Sequence, residues 1–188
     1  MHGNRSNQIG NIVDGDQAGR DITKNYVFDS SVPTPMRHLI EKLKRERQTD
    51  VQFVETLSVL RRYTTPATGE TVDGLEVKLR AANRDALLAY AARVKEVFAK
   101  KLMANQFSES GQEILAYLLA EIYTRFQHHV VPAIHRHESP ENVTNLVQSL
   151  VLDPVQAMLG ENPLRLYAEE INGMLYFLTG NCHIKWVH

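Results

Sequence analysis

The 188 residues predict a mainly α protein: a multi-helix domain that ends in a C-terminal β-hairpin and carries a short Gly/Asn/Asp-rich β-like appendage at its N-terminus. Three observations predict this. From Met36 onward, apolar residues recur at helical spacing through most of the chain. Before them, residues 7–22 set single apolar residues between Gly, Asn and Asp, which favour turns over helix. At the other end, residues 174–179 and 182–187 are two β-rich runs joined at Gly180-Asn181, a hairpin signal. The expected organisation is a β-like oligomerisation segment over residues 1–30, a proline linker over 31–35, and a helical domain over 36–188 with the hairpin at about 174–187.

Four of the ten glycines fall within the first 19 residues. Each Gly tolerates positive φ, so the units ending at Gly10, Gly15 and Gly19 can each close in a tight turn. Ile9, Ile12, Val13 and Ile22 cannot be buried by so short a segment alone, and pairing between copies of the chain is expected to cover them. Pro33 and Pro35 then interrupt both helix and sheet. In the first helix, Met36, Leu39, Ile40 and Leu43 form the apolar face. Thr49 or Asp50 caps a second, with Val51, Val54, Leu57 and Leu60 inward.

A loop over residues 64–74 precedes a long helical stretch over 75–105, with a break near Asn83. Ser110-Gly111-Gln112-Glu113 has the form of a capping box, and Ile114, Leu115, Leu118, Leu119, Ile122 and Phe126 mark the helix it opens as the central one. Pro132 is expected to end it. Ser139-Pro140 and Asp153-Pro154 start further helices, and Gly160 suits a stop. A last helix runs from Asn162-Pro163 to Asn172-Gly173.

Composition narrows the function classes. No apolar run approaches the roughly 20 residues of a membrane span, and the polar N-terminus is no signal peptide. One cysteine gives no disulfide framework, so a cytoplasmic location and no membrane contact are expected. The net charge of −1 conceals an asymmetry: residues 36–104 carry +5 and residues 105–188 carry −5.

Catalytic chemistry is not legible. His128, His129, His135 and His137 lie close together, but Pro132 interrupts their helical spacing and no carboxylate or second Cys completes a ligand set, so no metal site is expected. Cys182 and His183 are neighbours on an expected strand, where side chains diverge, so Cys182 shares a buried face with Ile184 and Trp186 while His183 points with Lys185. Gly15-Asp16-Gln17-Ala18-Gly19 lacks the Gly-Lys-Ser/Thr ending of a phosphate loop, and Asp14, Asp16 and Asp21 do not have calcium-loop spacing. No enzyme, cofactor or metal is therefore expected.

Two surfaces remain. Arg37, Lys44 and Arg45, with Lys42 and Arg47 on the same helix, offer phosphate contacts for a nucleic acid, although Glu41 and Glu46 are interleaved and no stacking aromatics accompany them. Tyr176, Phe177 and Trp186 on the expected hairpin are too large for two strands to cover, and suit docking to a partner.

The two ends together carry a family likeness. Gly15-Asp16-Gln17-Ala18-Gly19-Arg20-Asp21-Ile22 near the start, with Met174-Leu175-Tyr176-Phe177-Leu178-Thr179-Gly180-Asn181-Cys182-His183-Ile184-Lys185-Trp186 at the end, resembles the accessory or C-terminal modules of prokaryotic ABC-three-component conflict systems. In those systems a Rad50/SMC-like ATPase works with a middle component and an effector. The resemblance implies a scaffold in bacterial defence against phage or mobile elements, with such an ATPase or an effector as partner, and it transfers no catalytic residue. The expected function is thus a homo-oligomeric adaptor, with a nucleic-acid-binding accessory subunit using the basic helix over residues 37–47 as the alternative.

Overall fold

The computed structural model describes residues 34–48, 58–67, 74–160 and 162–187. The expected appendage, with Ile9, Ile12, Val13 and Ile22, lies outside the described residues. Among the described residues the protein is helical, without a strand.

Helix α1 (Thr34–Glu46) starts inside the expected linker, because Pro35 occupies its first turn, where the missing N–H has no intrahelical acceptor to lose. Met36, Ile40 and Leu43 are buried against the central helix. Helix α2 (Ser58–Thr64) buries Leu60 and Tyr63 on the same helix; its expected cap and the residues Val51, Val54 and Leu57 fall outside the described residues.

The long stretch breaks where Asn83 predicted. Helix α3 (Leu75–Ala81) ends with Asn83 at φ 55°, and the amides of Asn83 and Arg84 turn back to the carbonyls of Arg80 (2.9 Å) and Leu79 (2.8 Å). This is a Schellman ending, and Asn is among the few side chains that accept its left-handed position. A 3₁₀ turn (Asp85–Leu87) leads into α4 (Leu88–Ala104), with Ala91, Val94 and Phe98 inward.

The central helix is α5 (Glu109–Arg125), which buries Ile114, Leu115, Leu118, Leu119 and Ile122. Its cap is Ser108 rather than Ser110: the Ser108 hydroxyl accepts from the Gly111 amide at 2.9 Å. Ser110 is instead buried in the first turn, and its hydroxyl donates to Glu46 at 2.6 Å. Glu46 also accepts from the Ser110 amide (3.1 Å) and the Ser108 hydroxyl (3.0 Å), so a carboxylate at the end of α1 occupies the positive end of α5.

Pro132 does not end the helix as expected. A π-turn (Phe126–Val130) precedes it and α6 (Val131–His135) carries on. The amide of Val131 reaches back five residues to the Phe126 carbonyl, and this widened turn takes up the proline ring that would otherwise clash with the preceding turn. The same device recurs after α7 (Pro140–Leu146), which Ser139 caps through the Asn142 amide as predicted. A second π-turn (Val147–Leu152) precedes Pro154, so α8 (Asp153–Leu159) continues the helix rather than starting one at Asp153. The two π-turns pack on each other, with Phe126, Val130, Val147 and Val151 in the core. Gly160, at φ 49°, stops α8 as expected.

The largest departure is at the C-terminus. The last helix, α9 (Ala168–Gly180), begins after Tyr167, whose amide donates to Glu170 at 2.8 Å, and runs through the residues expected as the first hairpin strand. Ile171, Met174, Leu175, Tyr176 and Leu178 are all buried, so the run is apolar because the helix is covered on most sides, not because it alternates. Gly173 allows α9 to touch α4: a Cβ there would lie 2.3 Å from the Val94 carbonyl oxygen and 2.7 Å from the Phe98 Cβ. Gly180-Asn181 is therefore a helix end, not a hairpin turn. Cys182 stands at φ 63°, and the amides of Cys182 and His183 return to Thr179 (3.2 Å) and Leu178 (2.9 Å), a second Schellman ending. Residues 181–187 then pass the end of α2, where the Ala67 amide donates to the Asn181 carbonyl (3.1 Å) and the Asn181 side chain to the Tyr63 carbonyl (3.1 Å).

Candidate functional site: the arginine–tryptophan cavity

The C-terminal segment keeps the burial alternation expected of it without being a strand. Cys182, Ile184 and Trp186 are buried and Lys185 is exposed, while the His183 ring packs edge-on against Tyr63 (5.8 Å between centroids) with its Nε2 3.0 Å from the Thr65 carbonyl. Cys182 is a buried free thiol.

Trp186 organises the region. Its indole N–H donates to the Thr179 hydroxyl at 3.1 Å, satisfying the one polar group of a buried ring. Phe126 meets the ring edge-on at 5.1 Å, and Tyr176 lies nearly parallel at 6.5 Å. Burial pushes the Tyr176 phenol up to about 12; neighbouring Tyr90 adds to the shift and the Arg84 cation opposes it. Tyr176 and Trp186 thus serve the core, while Phe177 is half-buried with its ring against Phe98 at 5.2 Å. The hairpin surface on which the three were expected to meet a partner is not formed.

Over the indole sits Arg84, its guanidinium carbon 4.6 Å from the ring centroid. Arg84 is only 7% exposed. Its Nη1 donates to the Thr144 hydroxyl (2.9 Å) and its Nη2 to the Pro140 carbonyl (3.2 Å), and among the described residues it has no ion-pair partner. Burial draws its pKa down, and only the nearby Tyr176 works the other way. Sequence reasoning did not single out Arg84. The available signal was its place immediately after Asn83, since the residue following a left-handed helix stop usually packs back on the helix and is usually apolar.

Arg84, Pro140 and Trp186 line a cavity of about 440 Å³ together with Asn83, His137 and Glu138. His137 is another left-handed residue (φ 54°): its amide and that of Glu138 return to Ile134 and Ala133, so α6 ends as α3 does. The cavity is thus walled by the Schellman endings of two helices and by the tail that leaves a third. Glu138 is engaged by Arg136 (2.5 Å) and by the Asn142 side chain.

Of the expected histidines, only His137 lines this cavity. His128, His129, His135 and His137 are exposed, and among the described residues no group of three or more His, Cys, Asp or Glu is placed to hold a metal. On α1, Arg45 is exposed whereas Arg37 and Lys44 are half-buried. Part of that basic face is used within the fold: Lys42 pairs with Glu109 (3.1 Å) and Glu113 (3.3 Å), and Arg47 donates to the Pro163 carbonyl (3.0 Å). Burial works against the Lys42 charge, but the two carboxylates outweigh it and raise its pKa. Among the described residues no helix is long and apolar enough to cross a membrane.

No curated protein and no solved structure matches the chain. A family model does, and it spans α3 to α9, the Arg84–Trp186 cavity included: by that match over residues 74–186, the chain belongs to the family of C-terminal domain 9 of the ABC-three component systems.

Proposed function

We propose that this chain is a non-enzymatic, oligomerising adaptor, a scaffold subunit of a bacterial defence complex directed against phage or plasmids. The observation that carries the reading is the extent of the family match. The family match covers residues 74–186, and well ahead of it residues 7–22 have a composition of their own, with turn formers set between Ile9, Ile12, Val13 and Ile22. A domain of a multi-component system joined to a segment suited to pairing with its own copies has the parts an adaptor needs. An SMC/Rad50-like ATPase or an effector is its partner in this reading.

Nucleic-acid binding through α1 is the weaker reading, since Lys42 and Arg47 are directed into contacts with α5 and with Pro163. Deletion of residues 1–30 tests the adaptor reading. Light scattering should then give a lower mass while circular dichroism reports unchanged helicity. An unchanged mass overturns self-association through that segment.

A further inference from the structure

We propose that the cavity beside Trp186 is a carboxylate-binding pocket in which Arg84 receives an organic acid group, either free or carried on an acidic protein side chain.

The argument begins with charge. Among the described residues Arg84 is the one charged residue that is buried, and it is held by a hydroxyl, a backbone carbonyl and an aromatic face rather than by an acid. A buried cation is normally matched by an anion, because neutral acceptors recover only part of its lost hydration. A guanidinium has five N–H donors, and Thr144 and Pro140 take two. Its planar fork suits the two oxygens of a carboxylate.

The cavity also has the right scale. About 440 Å³ lies within the range of small-molecule pockets, and its walls combine the apolar Trp186, Val143 and Ile134 with a few polar groups. Glu138 selects among anions. Its carboxylate on the wall, although engaged by Arg136 and Asn142, repels a doubly charged phosphate more than a singly charged acid group. A cavity lined by one buried cation and a wall carboxylate therefore favours a singly charged acid group. This pocket does not depend on the oligomeric state of the chain.

Trp186 is the only tryptophan, so its fluorescence reports on this cavity. The full chain is titrated with propionate and with a capped Gly-Glu-Gly peptide, against propionamide and sodium chloride at matched ionic strength. The expected result is a saturable change with a carboxylate probe and none with propionamide or chloride. Arg84→Lys, which keeps the charge but loses the fork, should weaken the half-saturation point about tenfold. Glu138→Gln, which leaves the Arg84 contacts in place, should tighten it several-fold, so the proposal remains falsifiable if the Arg84 variant fails to fold. Saturation by propionate alone identifies a free acid as the ligand, and saturation by the peptide identifies a protein side chain. No saturation with either probe, or an equal response to propionamide, overturns the pocket and leaves Arg84 as a packing residue.

Discussion

Gly173→Ala is expected to destabilise the protein, against the direction that helix propensity alone predicts. The added Cβ would lie 2.3 Å from the Val94 carbonyl oxygen, and ordinary contact begins near 3.4 Å, so α4 and α9 must part by about 1 Å. The obstacle is backbone, which cannot rotate aside, and Phe98 blocks a second direction at 2.7 Å. Overpacking of this kind costs about 3 kcal/mol, at the upper end of the usual range. Alanine in a helix interior returns about 1 kcal/mol relative to glycine. The net loss of about 2 kcal/mol lowers Tm by about 4–8 °C in a chain of this length. Gly180→Ala in the same helix provides the contrast. There the new Cβ meets only the flexible end of Lys95, at 2.6 Å, which can swing away, so the expected change is a gain of up to about 1 kcal/mol. Scanning calorimetry of both variants decides the matter. A rise in Tm for Gly173→Ala, or equal shifts for the two, would refute the close helix crossing.

Glu46→Gln should cost about 1–2 kcal/mol, because it weakens charge-assisted hydrogen bonds to Ser108 and Ser110 at the start of α5. Urea midpoints measure it, and an unchanged midpoint would mean that Glu46 does not hold α5. Tyr176 predicts an alkaline loss of stability. The fold holds the phenol neutral up to about 12, whereas in the unfolded chain it ionises near 10. The unfolded state therefore sheds its proton first, and stability present below pH 10 falls by about 2–3 kcal/mol as pH rises towards 12. Denaturation midpoints across that range should decline in the native protein and decline much less in Tyr176→Phe.

Much of the helical domain was legible because it is set by local chemistry. Ser139 caps α7, Gly160 stops α8, and Asn83 marks a break, each through its own side chain or backbone freedom. The burial of Cys182, Ile184 and Trp186 was also readable from the sequence, although Cys182 is buried at a left-handed helix end and not on a strand. Other features depend on neighbours far along the chain. Ser110 looked like a cap because Glu46, 64 residues away, was not visible as its partner. Pro132 and Pro154 looked like helix boundaries, but the two π-turns that absorb them pack against each other, and burial of Phe126 and Val151 favours continuing the helix.

The amino-acid sequence by itself determined a mainly helical chain, its family likeness and some of its helix ends, at Asn83, Ser139 and Gly160, because those follow from periodicity and from single residues. Tertiary structure alone decided that residues 174–180 are helix rather than strand. A continuous apolar run is compatible with either form, and here Val94 and Phe98 of α4 meet Gly173 closely enough to require a helical face. It alone placed Arg84 over Trp186, since two residues 102 positions apart share a cavity only once α3, α7 and the C-terminal segment have packed together.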